Sequence, residues 1–287
     1  MEESLGGGAV WSTYKARRFG ERGVIRLLSH DAAQSEAVRE RFGAVRSVVE
    51  RVGHASALQV RDTGESKDGD LFARFELAEG DSLANALREA SAQLPAGVRP
   101  LGRRPSTMAV ELALRVTCGV LDCLAAAHER GVLHRDVRLE TIFLADRRTG
   151  RVRLGNFGMV AVLDATKVWG TRLDSIAFLA PEQAMGLVDQ LDARADLFAV
   201  GAVLHTLVTG QLFHADKTQE EALMAAATKP VRPVSRLGYG VPDAVSDILE
   251  RSLAWDRRNR YGSAREMQAA LEEALVALSG DRPSDGT

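Results

Sequence analysis

The sequence is poor in several features that mark specialised classes of protein. It has two cysteines in 287 residues and 5% aromatic residues. Cys118 and Cys123 lie five positions apart in an apolar helical pattern, which favours reduced, buried thiols over a disulfide. No apolar run reaches the ~18 residues of a membrane span, and no signal-peptide pattern opens the chain. These absences predict a cytoplasmic protein without a membrane span.

Charge of either sign is not in excess. The 37 Lys and Arg residues nearly balance the 39 Asp and Glu residues, and the net charge is −2 at pH 7. A charge this small gives no reason to expect attraction to nucleic acid. The content of 45% hydrophobic and 26% charged residues is that of an ordinary globular protein. Nucleic acid is therefore not an expected partner.

The most informative part of the sequence is the stretch 128–158. It contains His134-Arg135-Asp136 and, further along, Asn156-Phe157-Gly158. The first triplet resembles the catalytic loop of the eukaryotic-like (Hanks-type) bacterial Ser/Thr protein kinases. The second stands where that family has its metal-binding Asp-Phe-Gly. Because the resemblance extends over residues 5–278 but several motif residues differ, the chain looks like a degenerate member of the family.

The resemblance implies an α+β fold with two lobes. A small antiparallel β N-lobe with one long helix, helix C, is expected over residues 1–77. A larger helical C-lobe is expected over 78–279, and residues 280–287 are expected to form a disordered tail. Within the C-lobe, the resemblance also implies a buried ion pair between Glu182 and Arg260.

A nucleotide site is implied by two further stretches. Residues 5–16 resemble the glycine-rich loop that covers the phosphates, with Gly6 and Gly8 in place, but Trp11 stands at the third glycine. Glycines in such a loop let the backbone approach phosphates closely. By the same resemblance, Glu76 and Ala78 lie in the hinge that borders the nucleotide. The pattern predicts a degenerate nucleotide site in which occupancy is doubtful.

The ion pair that marks active members of the family is not expected here. Arg26 stands where the family has the lysine that bridges the phosphates and a glutamate of helix C. Arginine keeps the charge but brings a longer, planar group with different donor geometry. Helix C is predicted to run from about Ala33 to Val52 with one apolar stripe. The glutamate position within it is Val45, so the bridge has no acid.

The catalytic loop combines retained and replaced groups. The resemblance assigns Asp136 as the base that accepts the hydrogen of the substrate hydroxyl, and Asp196 as the residue that holds the loop. Arg138 replaces the family's lysine. The two metal-ligand positions are Thr141 and Asn156, and neither carries the carboxylate that Mg²⁺ prefers. We therefore expect no metal site and no cofactor, although binding of ATP without metal remains open.

Groups that hold the fold together are present, whereas groups that hold metal and phosphates are mostly replaced. The chain is therefore interpreted as a pseudokinase: not an enzyme, but a signalling scaffold or allosteric regulator with weak or no binding of Mg-ATP. Its expected partners are proteins, such as a kinase or a kinase substrate, and the arginine-containing loop 92–106 is a candidate docking site.

Two alternatives stay open. One is a divergent active Ser/Thr kinase that uses Asp136 as base and lets Arg26 and Arg138 neutralise the phosphates. The other is a nucleotide sensor that binds ATP without metal and responds by closing its lobes.

Overall fold

The computed structural model describes residues 2–7, 11–18, 20–92, 108–163, 173–237 and 240–280. Three expectations from the sequence fall wholly or largely outside the described residues. These are the loop glycine Gly8, the docking loop 92–106 and the tail 280–287. The description below refers to the residues that the structure describes.

The N-terminal part is a five-stranded antiparallel sheet in the order β1-β2-β3-β5-β4. Its strands are β1 (Glu3–Gly7), β2 (Trp11–Arg18), β3 (Glu21–Leu28), β4 (Val60–Glu65) and β5 (Leu71–Glu76). Along β5, buried residues alternate with partly exposed ones, as in a sheet with one face on a core. Leu77 lies just beyond the end of β5 and is exposed.

Three short helices follow β3 and pack on that face. They are α1 (His30–Ala33), α2 (Glu36–Gly43) and α3 (Val45–Val52). The apolar stripe predicted for helix C is buried as expected, its members being Val38, Phe42, Val45, Val49 and Val52. The single helix predicted from about Ala33 to Val52 is wrong, because the chain breaks into α2 and α3 at Ala44. Gly43, a poor residue for a helix interior, directly precedes the break.

The remainder of the chain is mainly helical. Its helices are α4 (Leu83–Ala92), α5 (Val110–His128), α6 (Met159–Leu163), α7 (Leu173–Ile176), α8 (Pro181–Ala184), α9 (Ala193–Thr209), α10 (Gln219–Thr228), α11 (Asp243–Ser252) and α12 (Ala264–Gly280). Short 3₁₀ turns are found at Val188–Gln190, Val234–Leu237 and Arg257–Asn259. No helix among the described residues is long and apolar enough to span a membrane.

Helix α9 is the centre of this part. The carboxylate of Asp192 caps its first turn by accepting from the backbone N–H of Arg194 at 2.9 Å. Gly210 ends it with a φ of 71°, a left-handed conformation that glycine adopts without steric cost. Nearly every residue between these two caps is buried. A helix that is buried on all sides gives the surrounding loops a rigid support.

A small sheet places the candidate site between the two parts. It consists of β6 (Asp81–Ser82), β7 (Ile142–Asp146) and β8 (Arg151–Leu154), in that order. Leu154 joins it to the N-terminal part, because its carbonyl accepts from the N–H of Leu58 at 2.9 Å and its N–H donates to the carbonyl of Ser56 at 2.7 Å. The α+β architecture, with an antiparallel β N-lobe and a helical C-lobe, is confirmed.

The predicted ion pair between Glu182 and Arg260 is also confirmed. Nη1 and Nη2 of Arg260 donate to the two carboxylate oxygens of Glu182 at 2.7 and 2.9 Å, and both residues are buried. Arg260 donates in addition to the backbone carbonyls of Arg194, Ala254 and Trp255. This forked contact joins the segment after α7 to the C-terminal part of the chain.

Candidate active site

The loop between α5 and β7 carries the candidate catalytic residues, and Asp196 of α9 holds this loop in place. The carboxylate of Asp196 accepts from the backbone N–H groups of His134 at 2.9 Å and Arg135 at 2.7 Å. It also pairs with Nε2 of His128 at 2.8 Å. Burial alone would raise the pKa of Asp196, but the contact with His128 and the other donors hold it below its ordinary value. Asp196 is therefore a buried anion that fixes the loop, as the sequence predicted.

His134 connects this loop to the segment after β8. Its Nδ1 accepts from the backbone N–H of Asp136 at 3.1 Å, so Nε2 carries the proton and donates to the carbonyl of Gly155 at 2.8 Å. Burial lowers the pKa of His134, which keeps the ring neutral. Its ring also meets the ring of Phe157 edge-on, with centroids 4.5 Å apart. These contacts fix the position of Asp136 relative to Asn156, which directly follows Gly155.

The carboxylate of Asp136 lies between two side-chain donors. Nε of Arg138 donates to Oδ1 at 2.8 Å, and Nδ2 of Asn156 donates to Oδ2 at 3.1 Å. Arg138 also reaches Glu140, with Nη1 3.2 Å from a carboxylate oxygen. Asn156 has a φ of 72°, in the left-handed region that asparagine tolerates better than most residues. Asp136, Arg138 and Asn156 are thus brought together as the resemblance implied.

Thr141 closes the catalytic loop on itself. Its hydroxyl accepts from the backbone N–H of Arg138 at 3.1 Å and donates to the carbonyl of Asp136 at 2.9 Å. The residue is buried. Its oxygen is therefore committed to the loop's own backbone, and its observed role is to fix the turn that carries Asp136 and Arg138.

Arg26 faces the same group of residues from the N-terminal sheet. It lies in β3 opposite Thr13 of β2 and Ala73 of β5. Its Nε atom is buried and has no hydrogen-bond partner among the described residues. Burial lowers the pKa of Arg26 to about 10, while the charge of Asp136 acts in the opposite direction and that of Arg138 adds to the lowering. Arg26 is therefore still a cation at neutral pH.

The other described residues of the expected nucleotide site lie in β1 and at the end of β5. Gly6 has a φ of 111° at an irregularity in β1, a conformation that favours glycine. The Glu76 side chain accepts from Arg61 at 2.8 Å and from Arg153 of β8. Ala78 follows β5 in the segment that leads to β6. The Glu76 carboxylate thus ties the hinge to the small sheet, and the backbone N–H of Glu76 donates to the carbonyl of Gln59 at 3.0 Å.

The residues present do not fit the two magnesium ions that the resembled family holds. Mg²⁺ prefers carboxylate oxygens in octahedral geometry. Here Asp136 is the one carboxylate of the motif, because the two family ligand positions carry the hydroxyl of Thr141 and the amide of Asn156. Among the described residues, no group of three or more His, Cys, Asp or Glu side chains is placed to hold a metal. Arg138 is itself paired with two carboxylates, those of Asp136 and Glu140.

Comparison with known proteins decides the family. A model described as "Protein kinase domain" matches residues 1–274. The chain belongs to the protein kinase domain family. Its fold is also that of a solved relative, the kinase domain of Mycobacterium tuberculosis PknI, with a TM-score of 0.68, 25% sequence identity and coverage of 96% of this chain and 94% of that one.

Curated relatives of this kinase domain carry consistent names. It is 30% identical over 285 residues to serine/threonine-protein kinase pkn3 of Myxococcus xanthus, covering 95% of this chain and 49% of the relative. It is 31% identical over 294 residues to serine/threonine-protein kinase PksC of Streptomyces coelicolor, covering 99% of this chain and 50% of the relative. The chain thus spans about half the length of these two curated relatives.

The interpretation of this chain as a non-enzyme is wrong on these findings. Relatives at 25–31% identity are named Ser/Thr protein kinases, and the structural neighbours are kinase domains, so the comparisons point to an enzyme family. The error has a physical reason. Each replaced motif residue was counted as a lost function, although Asn156 and Thr141 make new contacts with the loop that carries Asp136.

Sequence reasoning missed two features of this kinase domain. Gln183 donates from Nε2 to the carbonyl of Arg135 at 3.0 Å, which links α8 to the catalytic loop. The ring of Trp11 stacks on Phe42 of α2 with centroids 6.1 Å apart. The sequence contains a signal for the contact of Gln183, since this residue directly follows the Pro181-Glu182 pair. For the stacking of Trp11 on Phe42, the sequence contains no signal beyond the size of the indole.

Proposed function

We propose that this chain is a Ser/Thr protein kinase domain that transfers the terminal phosphoryl group of ATP to a protein hydroxyl, with Asp136 as the base. The names of its relatives support this reading. The observation that carries it is the placement of Asp136. The carboxylate stands on a loop held by Asp196 and points its two oxygens at Arg138 and Asn156.

Asp136 accepts the proton in this mechanism. As the substrate oxygen attacks the terminal phosphorus, its hydrogen passes to the carboxylate, and the bond between that phosphorus and the oxygen of ADP breaks. Arg138 and Asn156 hold the carboxylate by one hydrogen bond each, so both oxygens keep further lone pairs for the incoming hydroxyl. The carboxylate is thereby oriented before the substrate arrives.

Arginine side chains balance the charge of the phosphates in this proposal. Arg26 is a partly buried cation whose buried Nε has no hydrogen-bond partner among the described residues, and Arg138 lies beside the base. A guanidinium presents a planar fork that matches phosphate oxygens. The adenine would lie against the backbone of the hinge at Glu76 and Ala78, as the family resemblance implies. The phosphates of ATP would thus be held by these two cations, and the other substrate is a protein with an accessible Ser or Thr.

Transfer of labelled phosphate tests the proposal. The purified chain would be incubated with ATP labelled at the terminal phosphate and a library of peptides with a central Ser or Thr, with Mg²⁺ and with EDTA. We expect Asp136→Asn to lower the rate by ~10²–10⁴. Asp146→Asn is the matched control, because Asp146 is a carboxylate at the end of β7 that accepts from the backbone N–H of Arg148 and the hydroxyl of Thr149. Equal rates for wild type and Asp136→Asn, or no incorporation at all, would contradict the proposal.

A further inference from the structure

An aromatic side chain fills a position of the nucleotide loop where the resembled family has a glycine. Trp11 opens β2 and is partly buried against the core. Its ring stacks on Phe42 of α2, with centroids 6.1 Å apart and an interplanar angle of 25°. On the same ring lies the guanidinium of Arg26, its central carbon 5.3 Å from the centroid. Trp11 is therefore in contact with both a helix and a candidate phosphate ligand.

The register of the sheet produces this arrangement. Trp11 is paired with Leu28 of β3, and Arg26 lies two residues before Leu28. Residues two apart in a strand point to the same face, so Trp11 and Arg26 are diagonal neighbours on the face that covers α2. Ala73 of β5 is paired with Arg26 from the other side and is too small to compete for that space. The contact is thus fixed by strand pairing and not by a flexible loop.

The contact gives Arg26 a partner although the ion pair that the family resemblance implies has no acid in this chain. The helix position that would supply an acid to the β3 cation is Val45, which is buried. A carboxylate in that place would use N–H donors of the guanidinium. A ring face attracts the same cation through its quadrupole and uses no N–H. Trp11 can therefore hold Arg26 while leaving all of its donors available to an oxygen ligand.

We infer that Trp11 is a positioning residue that holds Arg26 for the phosphates of ATP and couples it to helix α2 through Phe42. The inference rests on the proposed function for the identity of the ligand. It adds a route by which helix α2 acts on the site: a shift of α2 that withdraws Phe42 removes the support of the Trp11 ring, and Arg26 loses its fixed position.

The test combines two substitutions with a matched control. Trp11→Ala removes the ring and Trp11→Phe keeps an aromatic face, whereas Tyr14→Ala truncates an aromatic residue on the opposite face of the same strand. Three quantities are measured on the full chain: the resonance of the Arg26 Nε–H proton, assigned with Arg26→Lys, the KM and kcat for ATP, and the unfolding midpoint.

We expect Trp11→Ala to move the Arg26 proton resonance, because the ring current disappears, and to raise KM for ATP about five- to tenfold. Trp11→Phe should keep most of both properties. Tyr14→Ala should lower the unfolding midpoint and leave the resonance and KM as in wild type.

Three results would overturn the inference: an Arg26 resonance unmoved by Trp11→Ala, a KM changed no more than by Tyr14→Ala, or a lower KM, which would mean that the indole obstructs ATP. Failure of the proposed function looks different, since the wild type itself then transfers no phosphate. In that case, the Arg26 resonance and the ATP affinity measured by calorimetry still decide whether Trp11 positions Arg26.

Discussion

Nδ2 of Asn156 donates to Oδ2 of Asp136 at 3.1 Å, in a place where the resembled family has two acids facing each other. Two carboxylates this close repel each other unless a cation lies between them. The amide of Asn156 is neutral, so it does not repel Asp136 and donates a hydrogen bond to it instead. Asn156 therefore allows Asp136 to keep its orientation without a metal ion.

The first prediction concerns this pair. We expect Asn156→Asp combined with Thr141→Asn to raise the rate of phosphoryl transfer in Mg²⁺ by ~10-fold or more, because both family ligand positions are restored. The same variant should be slower than wild type in EDTA, where the two carboxylates are uncompensated. Rates measured in both buffers check this. An equal change in both buffers would show that metal binding was not restored.

Arg138 gives a second prediction. Its Nε holds Oδ1 of Asp136 at 2.8 Å, so Arg138→Met removes a donor to the base and a cation from the site. We expect kcat to fall ~10²-fold with a smaller change in stability. Arg148→Met, in the exposed turn after β7, is the control for loss of one positive charge. Steady-state kinetics and thermal unfolding of both variants decide between a catalytic and a structural role.

The ion pair between Glu182 and Arg260 gives a third prediction, on stability. Glu182→Ala leaves the guanidinium of Arg260 buried without its charge partner, which we expect to lower the free energy of unfolding by about 3–5 kcal/mol. Arg46 and Glu50 form an exposed pair one helical turn apart in α3, so Glu50→Ala should cost about 0.3–0.5 kcal/mol. Urea unfolding measures both. Similar losses of unfolding free energy in the two variants would contradict the larger contribution expected of the buried pair.

His205 gives a fourth prediction, on the dependence of stability on pH. It is buried in α9, its Nε2 has no partner among the described residues, and burial lowers its pKa from 6.5 to about 4. The unfolded chain therefore takes up this proton first as the pH falls. Stability is lost between pH 6.5 and 4, by about 3 kcal/mol in total for this group.

His205→Leu should make that loss shallower, because the hydrophobic side chain replaces a ring packed against Phe213 and does not titrate. His30→Leu, at an exposed position, is the control for replacing one histidine by leucine. Unfolding free energies between pH 7 and pH 4 provide the comparison. Parallel curves for wild type and His205→Leu would show that another group causes the acid loss.

Much of the C-lobe could be predicted from the sequence. The contacts of Asp196 with the catalytic loop and of Arg260 with Glu182 follow from motif residues at characteristic spacing. These groups are buried in a closely packed region, where the neighbouring side chains leave few possible conformations for each residue. The buried stripe of helix C was predictable for the same reason, because periodicity reports which face meets the core.

The active site was less predictable because the role of each residue depends on the contacts of its side chain and not on the residue type alone. The sequence showed Asn156 as a lost ligand but could not show that its amide nitrogen donates to Asp136. It showed Trp11 as a bulky residue but could not show that strand register places it over Arg26. The break in helix C at Ala44 was also missed, since the apolar period continues across it.

We propose that arginine side chains, and not metal ligands, hold the phosphates of ATP in this kinase domain. Calorimetric titration of wild type and of Asn156→Asp/Thr141→Asn with ATP, in Mg²⁺ and in EDTA, tests it most directly. The account predicts that the affinity of the wild type in EDTA lies within about tenfold of that in Mg²⁺, whereas the double variant depends on Mg²⁺. Wild-type binding that disappears in EDTA, or no binding in either buffer, would contradict it.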